Sequence, residues 1–114
     1  MDILNLIFVI ASIGLGAFGW LAPKYTMETL NLSGHTDTMG MSEISASAGA
    51  LFIGMGVGAF ILNTPTGFAM IGFCWLGAAL GRLTSLIRDG QTRKKWGFFV
   101  VEAAVGIPAI IYNL

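Results

Sequence analysis

Residues 67–87 read GFAMIGFCWLGAALGRLTSLI, an apolar run interrupted by a single charge, Arg82. Residues 96–112 read WGFFVVEAAVGIPAIIY, again with a single charge, Glu102. Crossing the hydrocarbon core of a bilayer takes about 20 mostly apolar residues in a helix. Only helices and closed barrels can span lipid, because every backbone polar group must find a partner inside the structure. A barrel strand alternates polar and apolar with period two, and neither run does. Two more stretches have the same character: 3–22, which is uncharged, and 42–62, which has Glu43 at its start. The expected architecture is all-α, an integral membrane four-helix bundle with short connections, forming one domain over residues 1–114.

Composition agrees with this. The chain has 114 residues, of which 55% are hydrophobic and only 11% charged, and its formal net charge is zero. Mean hydropathy is +0.79. A water-soluble domain carries about 25% charged residues, so this one lacks the charge to cover a wet surface. Disorder needs low hydrophobicity and high net charge, and has neither here. Nucleic acid is not an expected partner without a basic excess. A disulfide framework cannot be built on Cys74 alone. The stretch 3–22 differs from a signal peptide: it lacks a basic leader, is long for such a core and ends without a small-residue cleavage site. It reads as a retained helix.

The connections set neighbours and orientation. Residues 63–66, Asn-Thr-Pro-Thr, form a tight turn, so the second and third helices are expected to run antiparallel. The stretch 23–41 is the longest polar one. It holds Lys24, Glu28, His35, Asp37 and a Ser33-Gly34 turn signal, and its residues 25–32 fit either a short interfacial helix or an ordered loop. Basic residues in short loops mark the cytoplasmic side. Lys24, Arg88, Arg93, Lys94 and Lys95 all fall in the first and third connections, and none falls on the other side. Both termini are therefore expected on the non-cytoplasmic side. Arg88, Arg93, Lys94 and Lys95 make a basic cytoplasmic turn, read first as a topology signal, with anionic lipid attracted as a by-product.

Apolar burial does not drive helices together in lipid; small residues that admit close backbone approach do. Ala46, Ala50, Gly54 and Gly58 recur every four residues on the second helix, and Gly77 and Gly81 on the third. They are the expected helix-packing positions, serving the bundle itself or a partner helix.

Arg82 and Glu102 carry the most information. Each costs roughly 2.5–3.5 kcal/mol at mid-membrane on insertion scales, so each is expected to face inward and be paired. They lie about ten residues either side of the centre of the 88–95 turn, which puts them at similar depth in an antiparallel hairpin. Glu43 stands as a second acceptor. The planar fork of arginine suits such a site. These three residues form either a buried charge network that fixes helix register or a polar ligand site. No catalytic constellation appears, and no Cys/His spacing suits a metal or haem. Cys74 reads as a buried small hydrophobe.

Three segments together carry a family resemblance. They are residues 41–46, Met-Ser-Glu-Ile-Ser-Ala, followed by Gly49; residues 80–85, Leu-Gly-Arg-Leu-Thr-Ser, with Asp89-Gly90; and residues 101–103, Val-Glu-Ala. The chain resembles a family of short four-helix bacterial membrane proteins of unknown function, loosely similar to DoxX-type proteins. Members often carry a basic residue two places after the first glutamate, where this chain has Ser45. The resemblance implies four helices and singles out Glu43, Arg82 and Glu102; it implies no activity.

The expected function is non-enzymatic: a structural or interaction role as an accessory subunit or homo-oligomer in the bacterial inner (cytoplasmic) membrane. Its partners would be membrane lipids and other membrane subunits or copies of itself, with no cofactor. The alternative is a lipid-, quinone- or small-solute-binding protein or carrier using the polar site around Arg82 and Glu102.

Overall fold

The structure is a computed structural model that describes residues 1–32 and 38–114. His35, Asp37 and the Ser33-Gly34 turn signal lie outside the described residues. The described residues are mostly helical, with no strand among them. They divide into two compact units, Asp2–Ile61 and Leu62–Leu114, the latter joined by Met1.

In the first unit, α1 (Ile3–Leu21) starts where the Asp2 side chain accepts the Asn5 N–H at 3.0 Å. That bond satisfies one of the amides a helix start leaves open. The helix stops because Pro23 follows, and the residue before a proline avoids the helical region. Ala22 accordingly sits at φ −134°, ψ 61°. The chain then re-enters a helix at once, with Pro23 as the first residue of α2 (Pro23–Thr29). Of the two readings of 25–32, the short helix is the one formed. Thr26 Oγ1 lies 2.8 Å from the Phe18 carbonyl and 2.9 Å from that of Ala22, stitching the corner. The Phe18 and Tyr25 rings pack across it at 6.1 Å. α2 ends in a left-handed Asn31, φ 58°. The Leu32 N–H donates to Met27 and the Asn31 N–H to Glu28, the paired bonds of a Schellman cap.

The second span is a continuous helical stretch, Met39–Leu62, made of three parts: α3 (Met39–Ser45), a π-helical segment (Ala46–Ala50) and α4 (Leu51–Leu62). Within it the Leu51 N–H reaches back five residues to the Ala46 carbonyl, which inserts an extra residue into the turn. α1 packs antiparallel against this span through glycine. A Cβ on Gly16 would stand 2.5 Å from the Gly49 carbonyl oxygen, and one on Gly49 would stand 2.5 Å from the Trp20 nitrogen. Further along, a Cβ on Gly56 would stand 2.7 Å from Ile13 Cγ1.

This corrects the expected packing stripe. Ala46, Ala50 and Gly54 are exposed and Gly58 is half-buried, and a Cβ on Gly54 or Gly58 meets nothing within 4 Å. The contact line runs through Gly49 and Gly56 instead. A spacing of four drifts by about 40° per step on a helix of 3.6 residues per turn, and the π segment shifts the count again. No sequence period alone follows that seam.

The second unit is a hairpin of α5 (Pro65–Arg88) and α6 (Arg93–Asn113). Thr64 caps α5 by accepting from the Gly67 N–H at 3.2 Å, with Pro65 at the first helical position. Thr92 caps α6 by accepting from Lys95 at the same distance. α6 therefore begins at Arg93 rather than at the expected residue 96, and three cations move from the turn into its first helical turn. Gly90, at φ +100°, takes the left-handed step between the helices. α6 runs through Pro108, whose missing N–H leaves the Ala104 carbonyl without its helical donor. The helices approach most closely where Gly72 faces Gly106: a Cβ on Gly106 would stand 2.7 Å from the Leu76 nitrogen. Gly77 and Gly81 are exposed and meet nothing within 4 Å, so the seam again lies on a line beside the expected one. Cys74 is exposed on α5, not buried.

Four helical stretches are long and apolar enough to cross a membrane: Ile3–Leu21, Met39–Leu62, Pro65–Arg88 and Arg93–Asn113. Their ends fall within a few residues of the expected spans 3–22, 42–62, 67–87 and 96–112. This is the make-up of a multi-pass membrane protein.

Candidate functional site

The α5–α6 hairpin builds one polar site in its apolar length. Arg82 Nε donates to Glu102 Oε1 at 3.2 Å and Arg82 Nη2 to Glu102 Oε2 at 3.3 Å. The guanidinium carbon stands 5.0 Å from the Phe98 ring centroid, a cation–π contact that covers a guanidinium face. Phe98 lies one turn before Glu102 on α6, so both reach the same arginine.

The register follows from chain direction. Arg82 is six residues before the end of α5, and Glu102 is nine residues after the start of α6. Their Cα atoms therefore differ by three residues, about 4.5 Å along the hairpin. Every Cα–Cβ bond in a helix leans toward that helix's N-terminus. On α5 this carries Arg82 away from the turn, and on α6 it carries Glu102 toward it. The two side chains close the offset and meet. The pair is not sealed: 30% of the Arg82 side chain and 13% of the Glu102 side chain remain exposed.

Glu43 lies on α3 in the other unit and is exposed. Its backbone carbonyl accepts the Ser47 hydroxyl at 2.7 Å. Both partners of the ion pair lie on the hairpin.

The basic turn is also ordered by its own contacts. Arg88 grips Asp89 with two bonds of 2.8 Å, and Ser85 Oγ reaches the same carboxylate at 3.3 Å. The hydrogen bond from Arg88 is the main reason the Asp89 carboxyl titrates at about 2; burial opposes the shift, while the charge of Arg88, the Ser85 hydroxyl and the charge of Lys95 add to it. Lys95 Nζ donates to the Gly90 carbonyl at 3.0 Å. Trp96 Nε1 donates to Gln91 at 3.3 Å, and its ring meets Phe99 edge-on at 5.7 Å. Arg93 and Lys94 are exposed.

Among the described residues no three His, Cys, Asp or Glu side chains gather as a metal site requires. No buried side-chain nitrogen or oxygen among them lacks a hydrogen-bond partner. Reasoning from sequence missed Phe98. Its signal was available, since an aromatic four residues before a membrane carboxylate shares its face.

The family model of a domain of unknown function, DUF4345, matches residues 1–112. The chain belongs to this family. Its description agrees with the expected family of unknown function and adds no activity to it. No curated protein and no solved structure matches the chain.

Proposed function

We propose that this protein is a non-enzymatic structural or interaction component of a bacterial inner-membrane assembly, acting as a small accessory subunit or as a homo-oligomer. The observation that carries the reading is the two-pronged bond between Arg82 and Glu102. It turns the acid and the base of the hairpin's apolar interior on each other. That leaves the carboxylate engaged within the hairpin by a permanent cation rather than presented to a solute. A pair of this kind serves register better than net stability, because desolvation offsets its attraction. The short connections leave little of the chain outside the membrane, which suits a protein whose partners lie beside it in the bilayer.

The proposed topology places the first and third connections in the cytoplasm and both termini on the opposite side, on the strength of the basic residues in those connections. A loose kinship with DoxX-type membrane proteins belongs to the same proposal.

A second reading draws support from the exposure left on Arg82. Only Nε and Nη2 are turned to Glu102, so the guanidinium has donors to spare. They would suit a lipid, quinone or small solute presenting an oxygen acceptor. Extraction in a mild detergent followed by native mass spectrometry separates the two. A heterologous complex or a discrete oligomer is the expected result. A monomer that retains a quinone or solute, and loses it on Arg82→Lys, would overturn the first reading in favour of the second.

A further inference from the structure

An arginine side chain carries five N–H donors. Glu102 takes one from Arg82 Nε and one from Nη2. The other three, two of them on Nη1, stand on a side chain that keeps 30% of its surface exposed. No buried side-chain nitrogen among the described residues lacks a partner, so the spare donors are on the open edge of the guanidinium. Depth decides what can meet them. Trp96 lies six residues before Glu102 on α6, about 9 Å along the axis. Tryptophan favours the level of the lipid headgroups, which puts the ion pair below that level, in hydrocarbon. A donor that opens there has no water to bond. It needs an acceptor that dissolves in lipid.

Charge narrows the choice further. Glu102 matches the charge of Arg82, so the site is neutral as a whole. An anion would lose its hydration, gain little from a neutral pair and approach a carboxylate of its own sign. An uncharged carbonyl has none of these costs, and a hydrogen bond from a charged donor is among the strong ones. Phe98 covers one guanidinium face at 5.0 Å, and the N–H groups point in the guanidinium plane, so the acceptor comes in edge-on. We propose that the open edge of Arg82 binds the carbonyl oxygen of an uncharged, lipid-soluble molecule and discriminates against anions. Quinones and uncharged diacyl lipids share that chemistry. The proposal rests on the second reading above, in which Arg82 holds a ligand, and makes no use of the oligomeric state.

Competition on delipidated protein in a nonionic detergent tests it, read by native mass spectrometry. The probes are decylubiquinone, dioctanoylglycerol and the permanently anionic hexadecanesulfonate, at equal concentration. The wild type should retain a carbonyl probe, one molecule per chain, by about ten-fold or more over the sulfonate, as a charge-assisted hydrogen bond implies. Preference for decylubiquinone marks a quinone site, and preference for dioctanoylglycerol a diacyl-lipid site. Arg82→Lys should lose the retention by a similar factor, and Arg93→Gln, which removes a cation outside the site, should keep it. Glu102→Gln leaves the Arg82 charge unmatched and should turn the preference toward the sulfonate, a reversal that a purely structural pair would not produce. Should that variant fail to fold, the wild-type competition still decides. A wild-type preference for the sulfonate overturns the proposal and leaves the second reading standing, as an anion site. Undiminished retention by Arg82→Lys, or an unchanged preference in folded Glu102→Gln, also overturns it. So does retention of no probe by the wild type; the second reading falls too only if protein extracted from its native membrane carries no small molecule.

Discussion

Taking away the Arg82 guanidinium leaves Glu102, 13% exposed, with its carboxylate facing an emptied site. An orphaned buried charge of this kind typically destabilises by about 3–5 kcal/mol, whereas replacing both partners by apolar residues is often close to neutral. Arg82→Leu should therefore lower the melting temperature in detergent much more than Arg82→Leu combined with Glu102→Leu. Equal losses would show that the two side chains are not energetically coupled. At the turn, Asp89 titrates at about 2, below its ordinary 3.8. A lowered carboxylate pKa means that the folded turn favours the ionised form. Its contribution is complete above about 3.8 and fades as the pH falls through about 2. Carbon-detected NMR should show that low titration midpoint, and Arg88→Gln should return it toward the ordinary value. The Arg82–Glu102 pair was legible in the sequence because two lone charges at matched distances from one turn have few other ways to be satisfied in lipid. Phe98 was less legible, because its role depends on which face of α6 meets α5.

At the scale of elements, glycine decides how closely helices approach. Gly49 and Gly106 leave no room for a methyl group against neighbouring backbone. Gly49→Ala and Gly106→Ala should each cost about 1–3 kcal/mol of stability, the usual penalty for overpacking. Gly54→Ala and Gly77→Ala meet open space and should lie within about 1 kcal/mol of wild type, since alanine also favours the helix. Thermal unfolding followed by circular dichroism in one detergent would order the four variants. These positions were not separable beforehand. All four are glycines in apolar runs, and the seam is set by crossing geometry and by the π segment, neither of which leaves a residue signature. Helix starts were half legible. Pro23 and Pro65 announce theirs, but Thr92 caps α6 ahead of three cations, where the dipole argues against a helix.

For the whole molecule, length and hydropathy identified four spans, because each is close to or above the length lipid requires and most charges fall between them. Hydropathy has no counterpart for the left-handed Asn31 and Asn63 that close helices α2 and α4. The proposed topology makes a further prediction. In a Cys74→Ser background, Gln91→Cys should be labelled by an impermeant maleimide only after the cytoplasmic face is opened. Thr64→Cys should be labelled in intact cells once the outer membrane is permeabilised. The reverse pattern would invert the orientation.

The five-residue π segment at Ala46–Ala50 also bears on how sequences of this kind can diverge. Deleting one residue there would let the helix close to its regular pitch while everything downstream kept its face, because the wide turn holds one residue more than an α turn. Gly56 would still face Ile13, whereas a deletion in the regular helix of α4 ahead of it would rotate it away by about 100°. In an alignment of family members, a gap at 46–50 should therefore leave the glycine at position 56 in its own column, and a gap at 51–55 should not.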